Sequence, residues 1–98
     1  MVTKAEVLSA LGKCVDPELN ADIVSLGLIY NIAIEKDSSI KVTLTMTSPM
    51  CPVISVILAD VQLRLESING IGKIDLDLVW EPMWSPDMMN DDLKYRSV

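Results

Sequence analysis

The sequence lacks histidine entirely and has only two cysteines, Cys14 and Cys51, among its 98 residues. Without histidine, neither Ser–His–Asp nor Cys–His catalysis is available, and no metal site can use an imidazole ligand. Two cysteines are too few for the disulfide framework of a small secreted protein. The sequence also starts without a basic and then apolar leader. These features together predict a cytoplasmic protein with free thiols.

Positive charge and long apolar runs are scarce as well. The chain has 8 basic and 14 acidic residues, a net charge of −6, so we expect it to bind neither nucleic acid nor anionic membranes. The most apolar stretch, residues 50–59, is far shorter than the ~20 residues that cross a bilayer. Half of the residues are hydrophobic, which excludes intrinsic disorder, and the length predicts one domain over residues 1–98.

Apolar periodicity predicts the order helix, strand, strand, helix, strand. Thr3 and Glu6 form a capping box for a helix that extends through Val15 and ends at Asp16-Pro17. An irregular link, residues 20–27, has a short strand at Ile23-Val24. A hairpin over 28–47, a helix over 52–68 and a strand over 74–80 complete the order.

This order predicts an α+β fold, a two-layer sandwich in which helices cover one face of a small, mainly antiparallel sheet. The other face is expected to be wet or to meet a partner, and it would carry Lys41, Thr43, Thr45, Asp75 and Asp77. The tail, residues 81–98, is expected to be docked or partly flexible. Asp87 or Asn90 could cap a short final helix there.

Cys51 is the sharpest candidate for chemistry. Pro52 favours the first position of a helix, so Cys51 is predicted as the N-cap of the second helix. The positive end of the helix would lower the pKa of the thiol there, and a thiolate is both a nucleophile and a soft metal ligand. The alternative is that Cys51 is a small buried apolar residue, as most free cysteines are.

Four polar residues could support that cysteine: Asp16, Glu18, Thr47 and Ser48. The hydroxyl groups of Thr47 and Ser48 could hydrogen-bond a sulfur atom, or could only satisfy local backbone amides, which suits Ser48 better. Asp16-Pro17-Glu18 has the composition of a short helical turn, and its carboxylates would act only if the loop folds toward Cys51. Cys14 is predicted to lie in the core.

Metal binding by one chain alone is restricted. No CxxC occurs, and four-thiolate cluster sites need four ligands, so any metal centre would be shared with another chain. The irregular spacing of the methionines favours packing or a partner surface over a copper site. Trp80, Met83 and Trp84 form an apolar patch beside prolines that suits a protein contact, or docking of the tail on the sheet.

Four motifs stand in order along nearly the whole chain: Asp-Pro-Glu-Leu at 16–19, Ile-Val-Ser-Leu-Gly-Leu-Ile-Tyr at 23–30, Thr-Ser-Pro-Met-Cys-Pro at 47–52 and Trp-Glu-Pro-Met-Trp-Ser-Pro-Asp-Met-Met at 80–89. Together they resemble the PaaD-like/SufT-like family of iron–sulfur cluster assembly domains, which includes the eukaryotic cytosolic targeting factors. The resemblance implies a fold like the C-terminal domain of NifU scaffolds, and dimers or complexes with other assembly factors. It also implies a functional cluster of Asp16, Thr47 and Cys51.

Three functions follow as hypotheses. The first is a maturation factor, not an enzyme, that binds an iron–sulfur cluster or iron transiently through Cys51, or docks client apoproteins. The second is a protein-interaction adaptor in which Cys51 is structural and the patch of Trp80, Met83 and Trp84 binds partners. The third is a thiol-dependent redox enzyme, which the lack of both CxxC and histidine disfavours.

Overall fold

The computed structural model describes residues 2–48 and 52–89. The expected order of helices and strands is confirmed, with one additional short hairpin after the first helix. The elements are α1 (Lys4–Leu11), β1 (Val15–Asp16), β2 (Ala21–Asp22), β3 (Ile29–Ile34), β4 (Ile40–Leu44), α2 (Ile54–Glu66), β5 (Ile74–Leu78) and a final 3-10 turn (Pro86–Met88).

The first helix begins as predicted and ends earlier than predicted. The Thr3 hydroxyl accepts the Glu6 amide at 3.2 Å, and the Glu6 carboxylate accepts the Thr3 amide at 3.1 Å, which completes the capping box. Gly12 then ends the helix, because glycine is a poor helix former. Val15, expected on the helix, lies instead in β1 with 47% of its surface exposed.

The extra hairpin pairs β1 with β2 in antiparallel register, Val15 with Asp22 and Asp16 with Ala21. The predicted strand at Ile23-Val24 is therefore wrong by two residues. The strand ends at Asp22 because residues 23–27 form a turn, in which the Leu26 amide donates to the Asp22 carbonyl at 3.1 Å. Ile23, fully buried, still donates its amide to the Cys14 carbonyl at 3.0 Å.

The predicted turn at Asp16-Pro17-Glu18 is confirmed and forms the connection of the hairpin. The Asp16 side chain accepts the Glu18 amide at 2.9 Å, and the Asp16 carbonyl accepts the Asn20 amide at 2.7 Å. Asn20, at a positive φ of 53°, ends the turn.

The main sheet has the strand order β3-β4-β5 and is mixed. β3 and β4 form the predicted antiparallel hairpin, whereas β5 runs parallel to β4, from Ile40 beside Ile74 to Leu44 beside Leu78. Since α2 connects β4 to β5, these three elements form a β–α–β unit, the usual way to join parallel strands. The fold is α+β, as predicted.

The core lies between the sheet and the two helices. Its buried members include the inward residues of β4 and one face of each helix, and all are at most 2% exposed: Val7, Leu11, Ile40, Val42, Leu44, Ile57, Val61 and Leu65. On the opposite sheet face, Lys41 and Asp77 form an exposed ion pair at 3.9 Å. Thr45, predicted on that wet face, is fully buried, because β4 ends at Leu44 and the alternation stops there.

The last described residues pack on the segment that leads into β3. We call residues 82–89 the strap. The Trp84 indole donates to the Leu26 carbonyl at 2.6 Å, and the Tyr30 hydroxyl donates to the Pro82 carbonyl at 2.7 Å. Ser85 is the N-cap of the 3-10 turn, so the prediction of Asp87 as a cap is wrong, and Asn90 lies outside the described residues. Within the described ranges, neither α1 nor α2 has the length and hydrophobicity of a membrane span.

Candidate functional site

Cys51 itself lies outside the described residues, but both ends of its loop are described. On one side β4 leads through buried Thr45 and Met46 to half-buried Thr47 and Ser48. On the other side α2 begins at Ile54, with Val53 as its N-cap and no side-chain cap. The prediction that Cys51 is the N-cap is wrong. Pro52 and Val53 form a turn before the helix, so α2 begins later in the chain than predicted.

Asp16, the first residue of the Asp-Pro-Glu-Leu motif, is a buried carboxylate with 1% of its surface exposed. Its Oδ1 accepts the Glu18 amide at 2.9 Å, and its backbone carbonyl accepts the Asn20 amide at 2.7 Å. Its Oδ2 is also buried and has no hydrogen-bond partner among residues 2–48 and 52–89. One carboxylate oxygen therefore builds the turn, and the other is available to a further group.

Thr45 shows the same feature at the start of the loop that carries Cys51. Its amide donates to the Leu28 carbonyl at 2.8 Å, whereas its buried Oγ1 has no partner in the described part of the chain. Leaving a buried polar atom unpaired costs about 1–3 kcal/mol. Because folded proteins rarely tolerate such atoms, each one calls for an explanation, such as a functional role.

A continuous series of backbone hydrogen bonds joins these two places. The Ile23 amide donates to the Cys14 carbonyl at 3.0 Å, and the Leu28 amide donates to the Ile23 carbonyl at 3.0 Å. The Thr45 amide then donates to the Leu28 carbonyl at 2.8 Å. The strand that holds Asp16, the link 23–28 and the start of the Cys51 loop are therefore one hydrogen-bonded unit.

The remaining supporting residues are more open. Glu18 is exposed and Ser48 is half-buried, and each of them makes an interaction of its own. Thr47 is half-buried at the entry to the undescribed part of the loop. The site roles of Glu18, Thr47 and Ser48 stay predictions.

Cys14 is a buried core residue, as predicted. Its Sγ lies 3.8 Å from the Ala10 carbonyl, to which the thiol donates. Burial, together with the Asp60 carboxylate, raises the pKa of the thiol to about 11, while Arg64 acts against them. Cys14 is therefore protonated at neutral pH and unsuited to metal binding or attack.

Metal-binding side chains do not cluster in the described ranges. Among residues 2–48 and 52–89, no three acidic or cysteine side chains are grouped so that they could hold an ion. A metal centre would therefore need residues beyond those ranges or ligands from another chain.

The apolar patch of Trp80, Met83 and Trp84 contains two exposed side chains and one that anchors the strap. Met83 is 78% exposed and Trp80 is 37% exposed, so both offer surface to a partner. Trp84 is half-buried against the core and anchors the strap through its indole. Partner binding by Trp80, Met83 and Trp84 stays a prediction.

Sequence reasoning missed Thr45 and Tyr30. Thr45 follows the period of the polar face, so no signal in the pattern separates it from Thr43. At Tyr30 the pairing of β3 shifts between Ile29 and Asn31, and Tyr30 itself, outside the paired positions, donates its hydroxyl to the strap. Bulges that re-aim a side chain in this way leave no reliable mark in a single sequence.

The fold is a small α+β domain in which two buried oxygens, Asp16 Oδ2 and Thr45 Oγ1, have no hydrogen-bond partner among the described residues. Thr45 lies where β4 ends and the chain runs toward Cys51. Comparison with known proteins agrees. Residues 4–76 match the model of the family described as iron-sulfur cluster assembly protein. The chain belongs to this family.

Curated relatives and a solved structure cover nearly the whole chain. The "Fe-S protein maturation auxiliary factor" of Porphyromonas gingivalis is 37% identical over 90 residues, covering 92% of this chain and 86% of the relative. The "Fe-S protein maturation auxiliary factor SufT" of Staphylococcus aureus is 38% identical over 76 residues, covering 78% and 86%. A conserved hypothetical protein of Thermotoga maritima superposes with a TM-score of 0.89 at 41% identity, covering 98% of this chain and 94% of that one. The predicted SufT-like membership is confirmed.

Proposed function

We propose that this protein is a cytoplasmic maturation factor for iron–sulfur proteins and is not itself an enzyme. It acts on client apoproteins together with other assembly proteins, and needs neither nucleic acid nor a membrane. The observation that carries the proposal is the pair of buried, unpaired oxygens, Asp16 Oδ2 and Thr45 Oγ1, at the two ends of one hydrogen-bonded unit beside the Cys51 loop. Two relatives are named Fe-S protein maturation auxiliary factors, which supports the same function.

In this proposal Cys51 binds the cargo, an iron–sulfur cluster or iron, and releases it. A single cysteine supplies only one of the four ligands that a cluster takes, so the other ligands come from a second copy or a partner. Sharing keeps the cluster transient, with none permanently bound. When the loop holds its cargo, the Asp16 carboxylate would accept a hydrogen bond, and the Thr45 hydroxyl would donate or accept one.

The second thiol does not favour redox catalysis. A dithiol enzyme needs a resolving cysteine that is accessible and partly ionised. Cys14 is fully buried, and its thiol has a pKa of about 11. This argues for cargo handling over thiol redox chemistry.

The test is reconstitution of the full chain with iron and sulfide under anaerobic conditions. We expect absorption bands of a bound cluster and a matching mass in the wild type, and their loss in Cys51→Ala. Cys14→Ala is the matched control, because it removes the other thiol and should keep the bands. Equal bands in Cys51→Ala and the wild type would contradict cargo binding by Cys51.

An adaptor that only docks clients is the second candidate, favoured by the 78% exposure of Met83. It predicts that Cys51→Ser matures clients normally and that Met83→Ser does not. Met83→Ser suits this test because the side chain is largely outside the core, so the fold should survive. Trp84→Ala is less suitable, since Trp84 also anchors the strap.

A further inference from the structure

The strand β3 lies at one end of the three-stranded sheet, and its outer edge is open among the described residues. No strand within residues 2–48 and 52–89 pairs with that edge. A groove of about 240 Å³ lies between β3 and α1, and its lining includes Lys4, Leu8, Asn31 and Ile32. The helix therefore does not close over the strand, and a further strand has access to the edge.

The hydrogen bonds of the hairpin define which backbone groups of β3 face outward. The Glu35 amide donates to the Ser39 carbonyl at 2.8 Å, so Glu35 faces β4. Ile40, opposite Ile34, donates its amide to the side of β5 and not to β3. Because residues of an antiparallel ladder alternate between facing the partner strand and facing away, the amide and carbonyl groups of Ile32 and Ile34 point to the open edge.

This part of β3 lacks the features that protect edge strands. Natural proteins block such edges with charged side chains, proline or bulges. Residues 31–34 have neither charge nor proline, and the irregular pairing of β3 lies before them, between Ile29 and Asn31. At the other end of the sheet, β5 carries Asp75 and Asp77. Of the two end strands, β3 is therefore the one suited to accept a further strand.

The edge is also complementary to itself. When two copies align in antiparallel register with Ala33 on the twofold axis, Ile32 faces the second copy's Ile34, and their outward amides and carbonyls bond each other. In the same register Asn31 faces the second copy's Glu35, so an amide lies beside a carboxylate. Each chain has a net charge of −6, yet no like charges oppose each other at these paired positions.

We propose that two copies of this protein join β3 to β3 in this register and form one continuous sheet. Ile32 and Ile34, which are half-buried in a single chain, become further covered in the dimer. The second copy occupies an edge that would otherwise be open to strands of other chains.

The test combines sedimentation equilibrium of the full chain with amide hydrogen exchange measured by NMR. In the wild type, the fraction of dimer should rise with protein concentration. Exchange at the amides of Ile32 and Ile34 should become slower over the same range, because these amides are bonded only in the dimer.

Substitutions at Ala33 test the register. Ala33→Glu should weaken the dimer about tenfold or more, because two carboxylates then face each other on the twofold axis. The fold should survive, since this glutamate lies opposite Lys41 in its own chain. Ala33→Ser, small and uncharged, is the matched control and should keep the dimer.

A mixture of two variants gives a stricter test of the same contact. Ala33→Glu and Ala33→Lys should each be monomeric alone. Mixed together they should form a heterodimer, because opposite charges then meet on the twofold axis.

Three results would overturn the proposal. Fast exchange in a wild type that stays monomeric would leave the edge to strands of other proteins. Slow exchange in a monomer, independent of concentration, would mean that the same chain covers the edge. A dimer that Ala33→Glu does not weaken is joined elsewhere. None of these results bears on the proposed maturation function, because the reconstitution experiment depends on Cys51.

Discussion

At the scale of single residues, the folded chain gives up stability at Asp16 and Thr45. Each buries an oxygen that no group in residues 2–48 and 52–89 satisfies. Each unpaired atom costs about 1–3 kcal/mol. At Thr45 an apolar side chain of similar size would serve stability better, whereas at Asp16 the other carboxylate oxygen holds the Glu18 amide. Both oxygens belong to the hydrogen-bonded unit that leads to the Cys51 loop, and we therefore propose that the lost stability serves function.

Thr45→Val tests directly whether the Thr45 hydroxyl lowers stability and serves function. Valine keeps the shape of threonine and removes the unpaired hydroxyl, so the free energy of unfolding should stay within about 0.5 kcal/mol of the wild type or increase. Client maturation should fall nonetheless. Urea unfolding and client activity measure the two quantities. Clear destabilisation would indicate that Thr45 Oγ1 has a structural partner.

Two substitutions at Asp16 should separate the roles of its two carboxylate oxygens. Asp16→Ala removes the Oδ1 that holds the Glu18 amide, so we expect the free energy of unfolding to fall by about 1–2 kcal/mol. Asp16→Asn keeps that acceptor and should retain most of the stability, but lose client maturation with the second carboxylate oxygen. Asp37→Ala is the control, since Asp37 accepts the Ser39 amide at 3.0 Å in a similar turn that is exposed. Full maturation by Asp16→Asn would contradict the role of Oδ2.

Cys14 gives a pH dependence with a definite sign. Its folded-state pKa is about 11 against an ordinary value of 9.0, so the folded state holds its proton more tightly. The contribution to stability is complete below pH 9 and is lost as the pH rises toward 11, an effect of about 2–3 kcal/mol. The wild type should lose this much more unfolding free energy than Cys14→Ala over that range. If the unfolding free energies of the wild type and Cys14→Ala depend on pH in the same way, the raised pKa of Cys14 is contradicted.

At the scale of elements, the strap depends on a glycine. A Cβ on Gly27 would clash with the Met88 carbonyl oxygen, and Gly27 has a φ of 78°. Gly27→Ala should therefore release the strap as well as strain the backbone. In a Trp80→Phe background, which leaves Trp84 as the one tryptophan, the fluorescence should shift to the red. Gly70→Ala is the matched control, because Gly70 has a φ of 84° and meets nothing within 4 Å. Identical spectra for the two variants would mean that the strap is not held there.

The elements show how far the sequence alone leads. The capping box of Thr3 and Glu6 and the alternation of β3 and β4 are local signals, and both predictions are confirmed. Strand direction is not local, so the parallel pairing of β5 with β4 follows only from the crossover through α2. The end of α1 was missed because Val15 continues the helical spacing, although Gly12 stops the helix.

The candidate site was harder to predict than the fold. Asp16 and Thr47 were singled out from motifs, but burial of Thr45 depends on where β4 ends, which periodicity does not define. The hydrogen-bond series through Ile23 and Leu28 joins segments about thirty residues apart in sequence. Tertiary contacts of this kind are set by packing and not by local propensity.

At the scale of the whole molecule, the chain offers one compact core, a net charge of −6 and few ligands of its own. These features support the proposal that the protein hands cargo to partners rather than retaining it. Its family membership and the buried oxygens beside the Cys51 loop lead to the same account.

The most direct test is the activity of an iron–sulfur client enzyme in cells that lack this protein. The account predicts that client activity falls, and that the wild type and Cys14→Ala restore it while Cys51→Ala does not. Protein levels of the three forms must be equal, so that loss of folding is not the cause. Full client activity in cells without the protein would contradict the account.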